Sequence, residues 1–138
     1  MRSDTVLVDT SAWIEFLRGT GSPVHLMLTG LIDEGAALAT TDVVVMEILA
    51  GARDEARSRE LRRFLLHFDH FPSQGLADFE RASEIFRRCR GGGETIRSLL
   101  DCLVAAVALR EEVPVLARDR DYEAISRHTG LEILESVS

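Results

Sequence analysis

Residues 5–14 read TVLVDTSAWI and carry one charge, Asp9. Val6, Leu7 and Val8 are β-branched or bulky apolar residues, and so short a continuous run predicts a strand buried on both faces of a parallel sheet. Asp9 then stands at the strand's exit. Ser11 offers a helix N-cap, and Ala12, Trp13, Phe16 and Leu17 recur at helical spacing, so a helix is expected to follow directly. A carboxylate is thereby held between a strand end and a helix start. Open α/β sheets bind their ligands there, outside the carboxyl ends of the strands.

Working outward, the 138 residues suit one domain over 1–138 with a full core and are short for two. The 46% hydrophobic and 28% charged residues are ordinary for a soluble globular protein. No basic segment followed by a long apolar stretch opens the chain, and no apolar run approaches the ~20 residues that span a bilayer. No membrane association is expected, and a cytoplasmic location is. Cys89 and Cys102 fall in helical contexts without metal-ligand spacing and read as reduced, small apolar residues. The formal charge of −7 argues against a protein that coats nucleic acid nonspecifically. A nuclease remains open, because carboxylates gathered to hold a metal make a chain acidic while its rim stays basic. All 16 basic residues other than His are Arg. The absence of Lys excludes P-loop nucleotide hydrolysis and Schiff-base chemistry.

In chain order, Gly19 to Gly21 close the first helix, and Val24, Met27, Leu28 and Leu31 mark a second that ends near Gly35. Ala37 to Thr40 predicts a strand. Thr41 and Asp42 then offer caps to Val43–Gly51, VVVMEILAG, in which Glu47 is the one charge. Leu61, Phe64, Leu65 and Phe68 set the apolar stripe of an amphipathic helix, and a brief third strand is expected within Phe68–Phe71. Phe79, Ala82 and Phe86 mark a further helix with Arg81, Arg87 and Arg88 on its other face, broken at Gly91 to Gly93. Ser98 to Leu109, SLLDCLVAAVAL, has Asp101 as its sole charge and reads as a helix buried on all sides. Val113–Ala117 predicts a buried strand, and Leu131–Leu134 a last one after Gly130. This alternation predicts an α/β fold, a mainly parallel sheet covered by helices on both faces.

Asp9, Glu47 and Asp101 are each the lone charge of an apolar run. An uncompensated buried carboxylate costs several kcal/mol. The economical solution is convergence, with Asp119, on a shared divalent cation. Carboxylate-only ligands point to a hard ion, Mg²⁺ or Mn²⁺, over zinc. Each acid also has a purely structural reading. Asp101 stands three residues after Ser98 and fits a capping box, Glu47 answers to a distant Arg, Asp119 caps the next helix, and Asp9 forms an Asx-turn.

VLVDTSAWIEF, Glu47 in VVVMEILAGARD, Asp101 in RSLLDCLVAAVAL, and Asp119 with Asp121 in VPVLARDRDYEAI resemble the four acidic blocks of PIN-domain ribonucleases. Their order and spacing over essentially the whole chain are most similar to the VapC-type toxins of bacterial toxin-antitoxin pairs. The resemblance implies a three-layer α/β/α sandwich, Mg²⁺- or Mn²⁺-dependent endoribonuclease activity on structured RNA such as tRNA, a homodimer, and inhibition by a VapB-type antitoxin. Carried over by position, Asp9, Glu47, Asp101 and Asp119 are the metal-binding acids. Asp121 supports them directly or through water, and Ser11 orients the first acid. Relatives often carry a hydroxyl residue where Ala117 stands and Phe where Tyr122 stands.

RNA approaching an acidic site needs phosphate-binding Arg residues around it. Arg118 and Arg120 flank Asp119 and are the candidates. Arg53, Arg57, Arg59, Arg62 and Arg63 cluster on one segment and equally fit a solvated helix face. Either Asp101 or Glu47 is placed to accept the attacking water's proton, and one ion or two remain open. The alternative is a catalytically inactive PIN scaffold that only binds partners. A haloacid-dehalogenase-type phosphatase is excluded, since it needs a second Asp where Ser11 stands and a Lys.

Overall fold

Val6–Val8 form strand β1, all three residues buried, and the sheet grows on both sides of it. The computed structural model describes residues 4–134. Its elements are β1, α1 (Thr10–Arg18), α2 (Pro23–Asp33), β2 (Leu38–Thr41), α3 (Asp42–Ala50), α4 (Glu55–Leu65), β3 (Asp69–Phe71), α5 (Gly75–Gly91), α6 (Leu99–Glu111), β4 (Val115–Leu116) and α7 (Arg120–His128). The four strands are parallel in the order β3-β2-β1-β4, with Leu7 level with Ala39 on one side and Val115 on the other.

The helices follow from that order. Crossovers between parallel strands are right-handed, so β1→β2→β3 places α1 to α4 over one face. The return from β3 across the sheet to β4 places α5 and α6 over the other. Packing divides the same way: α1 against α2 and α3, α3 against α4, and α5, α6 and α7 together, with α3 also reaching α6. The expected α/β architecture is present.

The chain therefore leaves β1 toward one face through α1 and leaves β4 toward the opposite face through α7. A crevice opens outside the carboxyl ends of β1 and β4, at the point where the strand order reverses. Asp9 and Asp119 sit at its two lips.

The core is one continuous cluster. On the first face Trp13, wholly buried, meets Phe64 at 5.4 Å, Phe68 at 5.0 Å and Phe16 at 6.1 Å between ring centroids. On the other, α6 is buried continuously from Asp101 to Ala108, the small side chains Ala105, Ala106 and Ala108 letting its neighbours approach. Cys89 and Cys102 are buried free thiols. Among the described residues no helix is long and apolar enough to cross a membrane.

Three local expectations are corrected. Asp9, not Ser11, is the N-cap of α1, because the helix already begins at Thr10 and the Asp9 carboxylate accepts the Ser11 N–H. Val113–Ala117 pairs as a strand only at Val115–Leu116. The last strand expected at Leu131–Leu134 reduces to a single bridge, Val115 with Ile133, since β4 is too short to template a longer partner.

Candidate active site

Asp9 stands where β1 hands over to α1, 3% exposed. Its Oδ2 accepts the Ser11 N–H at 3.0 Å and the Ser11 hydroxyl at 2.7 Å. Its Oδ1 accepts the Tyr122 hydroxyl at 2.7 Å. Ser11 Oγ in turn accepts the backbone N–H of Arg118 at 2.8 Å, so one hydroxyl ties the ends of β1 and β4 together and aims the carboxylate. Burial raises the Asp9 pKa against the lowering effect of the Ser11 and Tyr122 hydrogen bonds.

Asp101, in the first turn of α6, is 8% exposed. Its Oδ1 lies 3.5 Å from the Tyr122 hydroxyl, and its Oδ2 is buried with no hydrogen-bond partner among the described residues. The capping-box reading fails, because the Ser98 side chain makes no capping bond. Asp121 takes over part of that task. Its Oδ1 and Oδ2 accept the N–H groups of Arg97 (3.2 Å) and Ser98 (3.1 Å), clamping the start of α6 to α7. Asp119 caps α7 through the Asp121 N–H at 2.9 Å, so its structural reading holds whatever else it does.

One oxygen each from Asp101, Asp119 and Asp121 lies within 4.8 Å of the others, a spacing that suits a shared cation. Asp9 faces this group across the Tyr122 hydroxyl. Burial first, then the adjoining Asp121 carboxyl and the charges of Asp9, Asp119 and Asp121, push the Asp101 carboxyl up to about 9. Without a cation it holds a proton at neutral pH. Tyr122, enclosed beside Asp9 and Asp101, has its pKa raised by burial and stays a donor.

Glu47 stands apart from this set. Half-buried on α3, it accepts the Thr10 hydroxyl at 2.8 Å, one residue beyond Asp9. It also borders a cavity of about 240 Å³ lined by Ile14, Leu17, Arg18, Arg53 and Arg57, among others. The Arg118 side chain pairs with Glu15, and Arg120 is exposed on the first turn of α7.

Two side chains at the site were not singled out in the sequence as binding groups. Tyr122 shares the buried face of α7 with Ile125, and a buried Tyr must find a partner for its hydroxyl, which was a usable signal. Arg97 is the only basic residue between Gly93 and Asp101, and its guanidinium reaches Asp119 and Asp121.

The residues present fit a divalent ion. The donors are all carboxylates, a hard ligand set, and Asp101 Oδ2 is an orphaned buried acceptor beside two further acids. Comparison with known proteins identifies the family. The PIN domain family model matches residues 6–128. Over 128 residues the chain is 39% identical to the VapC ribonuclease Mb1587 of Mycobacterium bovis and to Ribonuclease VapC11 of Mycobacterium tuberculosis, covering 92% of this chain and 96% of each relative. Among solved structures, VapBC2 from Rickettsia felis bound to a promoter DNA fragment superposes with a TM-score of 0.73 at 15% identity, covering 94% of this chain and 97% of that one. The Mycobacterium tuberculosis VapC20, described as a sarcin-ricin loop cleaving toxin, does so at 0.65 and 19% identity, covering 92% and 98%. With the acidic crevice at the sheet's switch point and a relative of this identity along nearly its whole length, the chain belongs to the PIN-domain family, in its VapC ribonuclease branch.

Proposed function

We propose that this protein is the toxin of a toxin-antitoxin pair, a Mg²⁺- or Mn²⁺-dependent endoribonuclease that hydrolyses phosphodiester bonds in structured RNA, tRNA being the expected substrate class. The observation that carries the reading is the buried, unpartnered Asp101 Oδ2 beside Asp119 and Asp121, with Asp9 across the Tyr122 hydroxyl. Asp101, Asp119 and Asp121 would hold the cation with Asp9 completing the anionic cup, and Glu47 would serve from the α3 side.

When bound, the ion supplies an acidified water and a positive charge on the phosphodiester. The chain's own residues do the rest. Ser11 and Tyr122 hold Asp9 in one orientation, so little rearrangement accompanies reaction. The Asp121 clamp on Arg97 N–H and Ser98 N–H keeps Asp101 in register with α7. Either Asp101 or Glu47 would accept the proton from the attacking water. Arg118 and Arg120 would meet RNA phosphates at the β4 side of the crevice.

The expected partner is a VapB-type antitoxin, in keeping with solved neighbours such as the toxin-antitoxin complex from Klebsiella pneumoniae, and a homodimer is the expected assembly. Purified protein incubated with total RNA, with and without Mg²⁺, is expected to give a discrete metal-dependent cut. Asp9→Asn and Asp101→Asn should abolish it while circular dichroism stays native. Full activity in both variants would refute the assignment. A folded wild type that never cuts under these conditions would favour a PIN scaffold that only binds.

A further inference from the structure

Sixteen arginines are the chain's only long cationic side chains, and RNA must be held at a crevice lined by acids that repel it. Several of those with a described partner are committed elsewhere: Arg110 to Asp78, Arg127 to Glu94 and Arg57 to Glu60. Arg97 differs. Among the described residues it is the one guanidinium that ion-pairs with the carboxylates of the crevice, at 3.5 Å from Asp119 Oδ1 and 3.8 Å from Asp121 Oδ1. Both distances exceed the 2.7–2.9 Å typical of a good charge-assisted hydrogen bond, and the side chain is 67% exposed. The pairing is loose.

The base of that side chain is fixed. Arg97 N–H is held by Asp121 Oδ1 at 3.2 Å and the next N–H by Asp121 Oδ2, so the guanidinium swings from a rigid point at the rim. Its position is set by backbone bonds that a substitution at Arg97 leaves in place.

We propose that Arg97 binds a phosphate of the RNA at the mouth of the acidic site, its loose pairing with Asp119 and Asp121 giving way once a cation balances those carboxylates. The planar fork of the guanidinium matches two phosphate oxygens, and its countercharge role in the free protein keeps it beside the place where the phosphate arrives. This rests on the endoribonuclease reading.

The test uses a short fluorescein-labelled RNA hairpin bound by the full chain with Ca²⁺ as the cation, the RNA being recovered intact on a gel, over a series of salt concentrations. Arg97→Ala is expected to weaken binding about five- to twentyfold and to lower the salt slope by about 0.7 to 1, one phosphate contact. Arg97→Lys should keep most of the slope, and Arg87→Ala, on the outer face of α5, should change neither. In a separate titration without RNA, Mn²⁺ should bind Arg97→Ala at least as tightly as wild type, since a competing charge is gone. Wild-type slope and affinity in Arg97→Ala would make Arg97 a countercharge only and overturn the proposal. Loss of Mn²⁺ binding in that variant would also overturn it, placing the residue's effect on the carboxylates and not on RNA. If the wild type itself binds no hairpin, the nuclease reading fails and takes this proposal with it.

Discussion

Asp101 concentrates the electrostatic problem of this molecule in one side chain. Burial and the neighbouring acids push its carboxyl from an ordinary 3.8 to about 9. An acid with a raised pKa in the folded state binds its proton more tightly there than in the unfolded chain. The stability it contributes is complete below about pH 4 and is lost as pH rises through about 9. Asp9, also raised by burial, acts in the same direction. Asp42, Asp78, Glu15 and Glu94 are lowered, so their contributions are lost only on acidification below the usual carboxylate range. The Tm of the metal-free protein should therefore fall steadily from about pH 5 to about pH 9. Asp101→Asn should remove most of that slope and, at the alkaline end, stabilise the metal-free protein by about 1–3 kcal/mol, the cost of desolvating an unpaired polar group. Differential scanning fluorimetry across pH checks both, and a flat wild-type profile would contradict the assignment of the raised pKa.

Among the elements, α6 shows how a site and a core constrain one another. Its Ala- and Val-rich middle is buried, so its position is set by packing, and Asp101 is carried to the crevice at one end. The other end is anchored by Arg110, whose Nε and Nη2 reach the fully enclosed Asp78 of α5 at 3.2 and 2.9 Å. Asp78 Oδ2 also accepts the Gln74 N–H at 2.7 Å. Arg110→Met strands a buried carboxylate and should cost about 3–5 kcal/mol in urea unfolding, whereas Asp78→Leu with Arg110→Met should recover much of it. The helix itself was legible as a long apolar run with one charge. Its anchor was not, since Asp78 and Arg110 are 32 residues apart and nothing local links them.

For the whole molecule, the strand order β3-β2-β1-β4 is the deciding feature, because it sends α1 and α7 to opposite faces and leaves the crevice between β1 and β4. Like charges gathered there make the fold responsive to its ion. Saturating Mn²⁺, at about 100 times its Kd, should stabilise wild type by about 2.7 kcal/mol through linkage. Binding should be tighter at higher pH, because the Asp101 proton must leave. Asp101→Asn should show little of this stabilisation. Calorimetric unfolding with and without Mn²⁺ measures it, and an equal gain in the variant would place the ion elsewhere.

What the amino-acid order determined is what periodicity and composition can encode over a few residues. Strands appear as short apolar runs, helices as 3.6-residue stripes, and Asp9, Glu47 and Asp101 stand out as lone charges in apolar segments. Strand length at the edge was less legible: Leu131–Leu134 has strand composition, but its pairing depends on a β4 of only two residues. The tertiary structure alone decided which acids gather and which stands aside. Asp101, Asp119 and Asp121 approach within 4.8 Å, Asp9 reaches them through the Tyr122 hydroxyl, Glu47 turns to Thr10, and Arg97 lies against the carboxylates. The reason is physical. Local patterning governs backbone conformation and burial, whereas the meeting of side chains some 20 to 110 residues apart depends on sheet order and crossover hand, which only the packed chain fixes.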